Sequence, residues 1–483
     1  MGLLGILIGL ALLVGLAYRG WSVLGLAPLA ALIAAAFSGD PLLAHWTQTF
    51  MGSAAGFIAQ FFPLFLLGAL FGKLMDDSGS VTAIANFMTE KLGPGRSVLA
   101  VVLAGALVTY GGVSLFVAMF VIAPMGQVLF RAADIPNRLL APAVALGTTT
   151  FTMTAMPGTP AIQNAIPMPF FGTTPFAAPG LGLIASAVML GFGLWWLARA
   201  EKLARQAGEG FGGPASSADE AAHDPVVRER ATAAQSFDPA EAEHGQRSAE
   251  PPGIVIAMLP LAVVMAVNLA MSLVILPNID TSFLAEPQWG GTSLAGVGGV
   301  WSVIVALSAA IVVLYALNRG RLKTLRDTVD AGLNAAALPV ISVASLVGFG
   351  AVVAALPAFQ VVSDWVLGIE GGPLVGLALS TNVLSALTGS ASGGLTIALG
   401  ALGETYMQLA AAHGIDPALM HRVAAIGAGS LDSLPHNGAV VTLLAVCGST
   451  HKQSYFDIVM VGIVSALLAL GVVIVLGTAF GSF

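Results

Sequence analysis

Along most of this chain the apolar positions come in long runs, and the polar ones in short clusters between them. The runs fall at about 3–17, 22–38, 54–72, 97–130, 139–171, 180–198, 253–276, 293–317, 331–357, 373–403, 420–447 and 455–480. About 20 apolar residues in a helix cross roughly 30 Å of hydrocarbon. The pattern therefore predicts an all-α polytopic membrane protein. A membrane barrel would need short alternating strands, whereas these runs are continuous and rich in Gly, Ala and Leu. Four runs are too long, or too broken by Gly, Pro and polar residues, to be plain spans. Those at about 97–130 and 373–403 read as re-entrant hairpins, and those at about 139–171 and 420–447 as broken helices.

The interruptions repeat. "TYGGVS" at 109–114 and "LTGSAS" at 387–392 are separated by the same offset as "MPGTP" at 156–160 and "LPHNG" at 434–438. Between them, "ADIPNRLLAPAVALG" (133–147) loosely matches "GIDPALMHRVAAIG" (414–427). Residues 1–198 and 253–483 thus read as two inverted repeats, each with three spans, a hairpin, a broken helix and a closing span. The stretch 199–252 is rich in Ala, Glu, Asp and Arg and poor in large apolar residues. It reads as a disordered cytoplasmic linker. Inverted repeats with helices broken near the midplane mark secondary transporters.

Composition narrows the classes further. Of 483 residues, 57% are hydrophobic and 9% charged, against about 25% charged in soluble domains. A net charge of −7 without a long basic tract gives no sign of a nucleic-acid partner, and none is expected. The one cysteine, Cys447, excludes an intrachain disulfide and a cysteine-cluster metal site; no cofactor or metal is expected. The N-terminal run has no basic residue ahead of it and reads as a first span rather than a cleavable signal. With both hairpins re-entrant, Arg19, Lys73, Lys91, Arg96, Arg131, Arg138, the linker, Arg319–Arg326 and Lys452 share one face. The opposite connections, near 39–53, 172–179, 277–292, 358–372 and 404–419, carry no Lys or Arg. The positive-inside rule makes the first face cytoplasmic and both termini periplasmic. Arg422, at a helix edge, is the one basic residue on the other side.

The chemistry is expected at the four interruptions, because irregular backbone at membrane depth persists only in a protein interior or a wet cavity. Prolines 157, 160, 167 and 435 remove helix donors there, leaving half-helix ends whose N–H groups suit a carboxylate. No Arg or Lys lies inside the interruptions, so a small hydroxylated monocarboxylate is expected to be held by dipoles, hydroxyls and amides. The candidate substrate-binding residues are Gly112, Ser114, Thr154, Gly158, Thr159, Gln163, Asn164, Ser390, Ser392 and Asn437. Asp432 and His436, in "SLDSLPHNGAV", have no counterpart in the first half. They are either proton or cation carriers or, in the plainer reading, a helix cap and its partner. Burial raises the pKa of a carboxylic acid and lowers that of an imidazole, which suits proton exchange. A nucleophile–base constellation is missing, so no enzyme is expected.

"YGGVSLFVAMFVIAPM", "LFRAADIPNRLLAPAVALGTTTFTMTAMPGTPAIQNAIPMPFFGTTPFAAPGLG" and "SLDSLPHNGAVVTLLAVCGSTHKQSY" resemble the gluconate permease (GntP) family of the ion-transporter superfamily. The resemblance covers nearly the whole chain outside 199–252. It implies proton-coupled uptake of sugar acids or other small hydroxy acids through a bacterial inner membrane. It also implies a homodimer in which a transport domain moves as an elevator against a scaffold. The superfamily's sites carry over to Gly112 and Ser114, Pro157 to Gln163, Ser390 and Ser392, and Pro435 to Asn437. The "PPHPGP" signature of gluconate-type members is absent, which shifts the expected substrate toward shorter acids such as 3-hydroxybutyrate. The Ser-Asn-Thr tips of sodium symporters are absent too, so proton coupling is favoured over sodium.

Overall fold

In the computed structural model, the described residues are 2–17, 19, 21–212, 238, 241, 244–361, 364, 368, 371–435 and 437–483. Among them every regular element is helical. The first half runs α1 (Gly2–Ala17), α2 (Val23–Ser38), α3 (Leu42–Asp77), α4 (Ser80–Leu92), α5 (Ser97–Tyr110) and α6 (Leu115–Ala132). It continues through four short helices, α7 (Leu140–Thr148), α8 (Phe151–Thr154), α9 (Ile162–Ala165) and α10 (Pro167–Phe171), to α11 (Pro179–Gln206). The second half is α12 (Ile254–Asn278), α13 (Leu294–Asn318), α14 (Leu325–Ala355), α15 (Pro373–Thr388), α16 (Ala391–His413), α17 (Pro417–Ser430), α18 (Gly438–Val446) and α19 (His451–Phe480). Seven of these helices are long and apolar enough to cross a membrane. Their outward faces carry bare apolar side chains such as Val128, Val255, Val312 and Val475, as lipid-facing surfaces require.

The order of elements recurs, and so do the pairings. α3 packs along α14; α2 meets α14 as α13 meets α3; α11 lies against α19. The helices after each break cross over. α9 and α10 pack on α16 and α17 of the second half, and α18 packs on α6 and α7 of the first. Small residues permit these approaches. A Cβ at Gly332 would stand 2.9 Å from Leu70 Cα on α3, and one at Gly348 would stand 2.8 Å from the Phe50 ring.

α5 and α6 are joined through residues 111–114 and α15 and α16 through 389–390, and helix stops after Thr154 and Ser430 to resume at Ile162 and Gly438; α6 is itself long and apolar enough to cross a membrane. The amphipathic α4 has no apolar run long enough to announce it. The disordered linker expected over 199–252 neither begins at 199 nor runs to 252. α11 extends to Gln206, and beyond it Glu209 holds Arg138 through Nε–Oε1 at 2.8 Å and Nη2–Oε2 at 3.1 Å. That bidentate bond raises the pKa of Arg138. Its Nη1 reaches Asp457 at 2.8 Å, whose second oxygen accepts from Trp196 at 2.9 Å.

At the other end of the linker, Arg247 Nε donates to Asp76 at 3.0 Å and Ser248 N to the Asp77 carbonyl at 2.8 Å. The Asp77 side chain is fully buried, paired with Lys73 at 2.9 Å and accepting from Thr328 at 2.6 Å. Apart from Asp238 and Glu241, the middle of the linker lies outside the described residues. Residues 131–138 meet 205–211 and 457, and 73–79 meet 247–252 and 328. Elsewhere, Gly180 and Leu181 donate to Phe483, and Ser482 to Asp416.

Candidate functional site

Each hairpin tip meets the break of its own half. At the first tip Gly112 turns with φ +99°, and a Cβ there would stand 2.8 Å from Pro160 Cγ. Tyr110 Oη donates to the Pro157 carbonyl at 2.8 Å, and Ser114 Oγ caps α6 by accepting from Phe116 N at 3.4 Å. At the second tip Ser390 Oγ caps α16, accepting from Gly393 N at 3.1 Å, with the Ser392 hydroxyl 3.2 Å away. Asn437 joins that tip to the second break: its Nδ2 donates to the Gly389 carbonyl at 2.8 Å, and its Oδ1 accepts from Ala439 N at 2.6 Å, capping α18. The cap of this half-helix is therefore Asn437, not Asp432.

Two small cavities lie between these parts. One, of about 10 Å³, is room for a single water-sized group. Both breaks and the second tip meet in it: Thr154 and Gln163 from the first half, Ala391, Asp432 and Asn437 from the second. The N-terminal ends of α16 and α18 thus both face it, and helix N-termini carry partial positive charge. Gln163 is 2% exposed, and its Oε1 has no hydrogen-bond partner among the described residues. An unmet buried oxygen costs about 1–3 kcal/mol, so the cavity holds an acceptor that wants a donor. Asp432, half-buried, accepts from the Ser433 hydroxyl at 3.2 Å. It makes no ion pair among the described residues. The second cavity, about 40 Å³, is lined by Gly112, Ser114, Pro160, Phe65 and Leu307. Met153 lines both cavities, a flexible thioether as their common wall.

The other expected site residues stand beside these cavities. Gly158, at φ +81°, donates through N to the Pro175 carbonyl at 2.8 Å and accepts through O from Asn268 Nδ2 at 2.9 Å. Asn268 is fully buried in the otherwise apolar stretch of α12. Thr159 Oγ1 accepts from Ala161 N at 3.4 Å. Asn164 Nδ2 donates to the Thr159 and Pro175 carbonyls, both at 3.0 Å, which fixes the orientation of the amide. His436 lies outside the described residues.

Sequence reasoning missed His421 and Arg422, both fully buried on α17. With the Asn164 amide fixed, its Oδ1 must accept from His421 Nε2 at 3.1 Å. The imidazole then carries its proton on Nε2, and its Nδ1 accepts from Thr173 Oγ1 at 2.6 Å. Arg422 donates to Ala177 O from Nε (3.2 Å) and Nη2 (2.6 Å), and from Nη1 to Thr154 O (3.0 Å) and Asn164 Oδ1 (3.2 Å). Gly182 leaves room for it; a Cβ there would stand 3.3 Å from Arg422 Nε and 2.5 Å from Ala155 O. The expectation that Arg422 sits at a helix edge is thus corrected; no Arg or Lys lies inside the interruptions, but Arg422 reaches the first one from α17. Its isolation on the face otherwise free of Lys and Arg was the signal.

The profile of the GntP family permeases matches residues 1–170. An uncharacterized transporter, YxjC, of Bacillus subtilis (strain 168) is 39% identical over 480 residues, covering 98% of each chain. The high-affinity gluconate transporter of Escherichia coli (strain K12) is 34% identical over 164 residues, 33% of this chain and 35% of that protein. The crystal structure of the YdaH transporter of Alcanivorax borkumensis superposes with a TM-score of 0.46 at 16% identity, covering 91% of this chain and 89% of that one. A full-length transporter relative and the matching profile together identify the chain as a transporter, and it belongs to the GntP family of permeases.

Proposed function

We propose that the chain is a secondary active symporter carrying a small hydroxy or sugar acid monocarboxylate together with a proton across a bacterial inner membrane. The substrate is gluconate-like or a shorter acid of the 3-hydroxybutyrate type. The observation that carries this reading is the meeting of both breaks and the second tip around one cavity, closed here to a water-sized space of about 10 Å³, so the reading places the acid there in a more open conformation. Two half-helix N-termini suit a carboxylate, and the Gln163 oxygen suits a substrate hydroxyl. Asp432, the one carboxylate of that lining, is the proton carrier. With α18 capped by Asn437, the capping alternative for Asp432 loses its support. The gluconate-transporter likeness over part of the chain points to the same class of acid.

The recurrent element order and reciprocal pairings support reading 1–198 and 253–483 as inverted repeats. In that reading α1–α3 and α12–α14 form a scaffold, and the hairpins and broken helices form a transport domain that moves as an elevator. A homodimer built through the scaffolds fits this division. The contacts of the linker's ends with 73–79 and 131–138, which the positive-inside rule makes cytoplasmic, support a cytoplasmic 199–252 and periplasmic termini.

The test is uptake into proteoliposomes of radiolabelled gluconate, 3-hydroxybutyrate and related acids under an imposed pH gradient, with and without sodium. Accumulation driven by the pH gradient alone is expected. Uptake that ignores the pH gradient and requires sodium would refute the proton coupling.

A further inference from the structure

We infer that Arg422 supplies the fixed positive charge that makes the cavity select an anion over its neutral analogue. The inference rests on the substrate class proposed above. Buried guanidinium groups are ordinarily matched by a carboxylate, because taking an unpaired charge out of water costs several kcal/mol. Arg422 is fully buried, and no carboxylate lies within ion-pair distance of it among the described residues. Its four hydrogen bonds all go to neutral oxygens, three backbone contacts and one amide. These bonds take up four of its five N–H groups and leave its charge unbalanced.

That charge lies one residue's thickness from the cavity. Thr154 accepts from Arg422 through its carbonyl and lines the cavity; Asn164 accepts from it and follows Gln163, which also lines the cavity. The N-termini of α16 and α18 contribute partial charges of the same sign from the second half. A neutral donor such as glutamine could hold one of the carbonyls that Arg422 bridges. Only a cation adds a long-range attraction that acts through the intervening backbone in a low-dielectric interior. Arg422 is thus a positioning and selectivity residue that need not touch the substrate.

The experiment measures binding of gluconate and 3-hydroxybutyrate, each against its own amide, to purified wild type, Arg422→Gln and Arg422→Lys in detergent. Wild type is expected to prefer acid to amide by about 10-fold or more. In Arg422→Gln that preference should fall to about parity, while amide affinity changes little. A role in folding alone would weaken acid and amide together and leave the preference intact, which overturns the inference. Arg422→Lys keeps the charge and loses the fork; its preference should stay within about 3-fold of wild type. If the glutamine variant does not fold, loss of preference in folded Arg422→Lys overturns the inference. Wild type binding acids and amides equally overturns it alone. Wild type binding neither acid overturns the substrate class and this inference with it.

Discussion

Replacing Asn437 with alanine removes two interactions at once, and their costs can be worked separately. The lost cap of α18, an Oδ1 accepting from Ala439 N at 2.6 Å, is worth about 1 kcal/mol. The lost Nδ2 donor leaves the Gly389 carbonyl, 2.8 Å away at the second tip, buried without that partner, at about 1–3 kcal/mol. Asn437→Ala should therefore destabilise the protein by about 2–4 kcal/mol. Asn437→Ser keeps a capping oxygen but is too short to reach Gly389, and should recover about 1 kcal/mol of that loss. The assay is equilibrium unfolding in mixed micelles followed by tryptophan fluorescence, with acid uptake measured in parallel because Asn437 lines the cavity. An alanine variant within about 0.5 kcal/mol of wild type would refute the reasoning. So would a serine variant as unstable as the alanine one, since the cap would then contribute nothing.

Asp432→Asn should abolish accumulation driven by a pH gradient while leaving substrate counterflow, because exchange needs no proton carrier; unchanged accumulation in proteoliposomes would remove Asp432 from the coupling. Gly394→Ala places a Cβ into the backbone of Ser385 within the second hairpin. Parting two helices packed this closely should cost about 1–3 kcal/mol, read as a lower unfolding midpoint, and wild-type stability would show that the hairpin yields freely. Arg247→Ala removes the half-exposed cation from buried Asp76. Solvent screening limits the loss to about 1 kcal/mol, but hydrogen exchange at the Ser248 amide, which donates to Asp77 O, should speed up. Unchanged exchange would mean that this part of the linker docks without the arginine.

The hairpins and breaks were legible because they are punctuated locally: glycine and proline act on the residues beside them, so "YGGVS" and "MPGTP" mark turns wherever the rest of the chain goes. Their partners across the fold were less legible. The textual repeat pairs Ser114 with Ser392, yet the residue that caps its helix as Ser114 does is Ser390. Asn164 looked like a ligand because it stands in a broken helix, but its Nδ2 is held locally by Thr159 and Pro175. The partners of its Oδ1, His421 and Arg422, come from 257 and 258 residues further along. α4 escaped notice because "SVTAIANFMTEKL" alternates apolar and polar residues too closely to form a run. The length of 199–252 suggested a single character, whereas its two ends belong to the packed helices on either side.

The crossing of the post-break helices has a consequence for how the chain is made. Until α17 emerges, the carbonyls of Thr154 and Ala177 and the amide oxygen of Asn164 lack the arginine that bridges them. In hydrocarbon each such unmet group costs several kcal/mol. A nascent first half must keep this region hydrated or shielded while the ribosome translates the remaining half. Insertion of the first half and completion of this hydrogen-bond network are thus separate events in time.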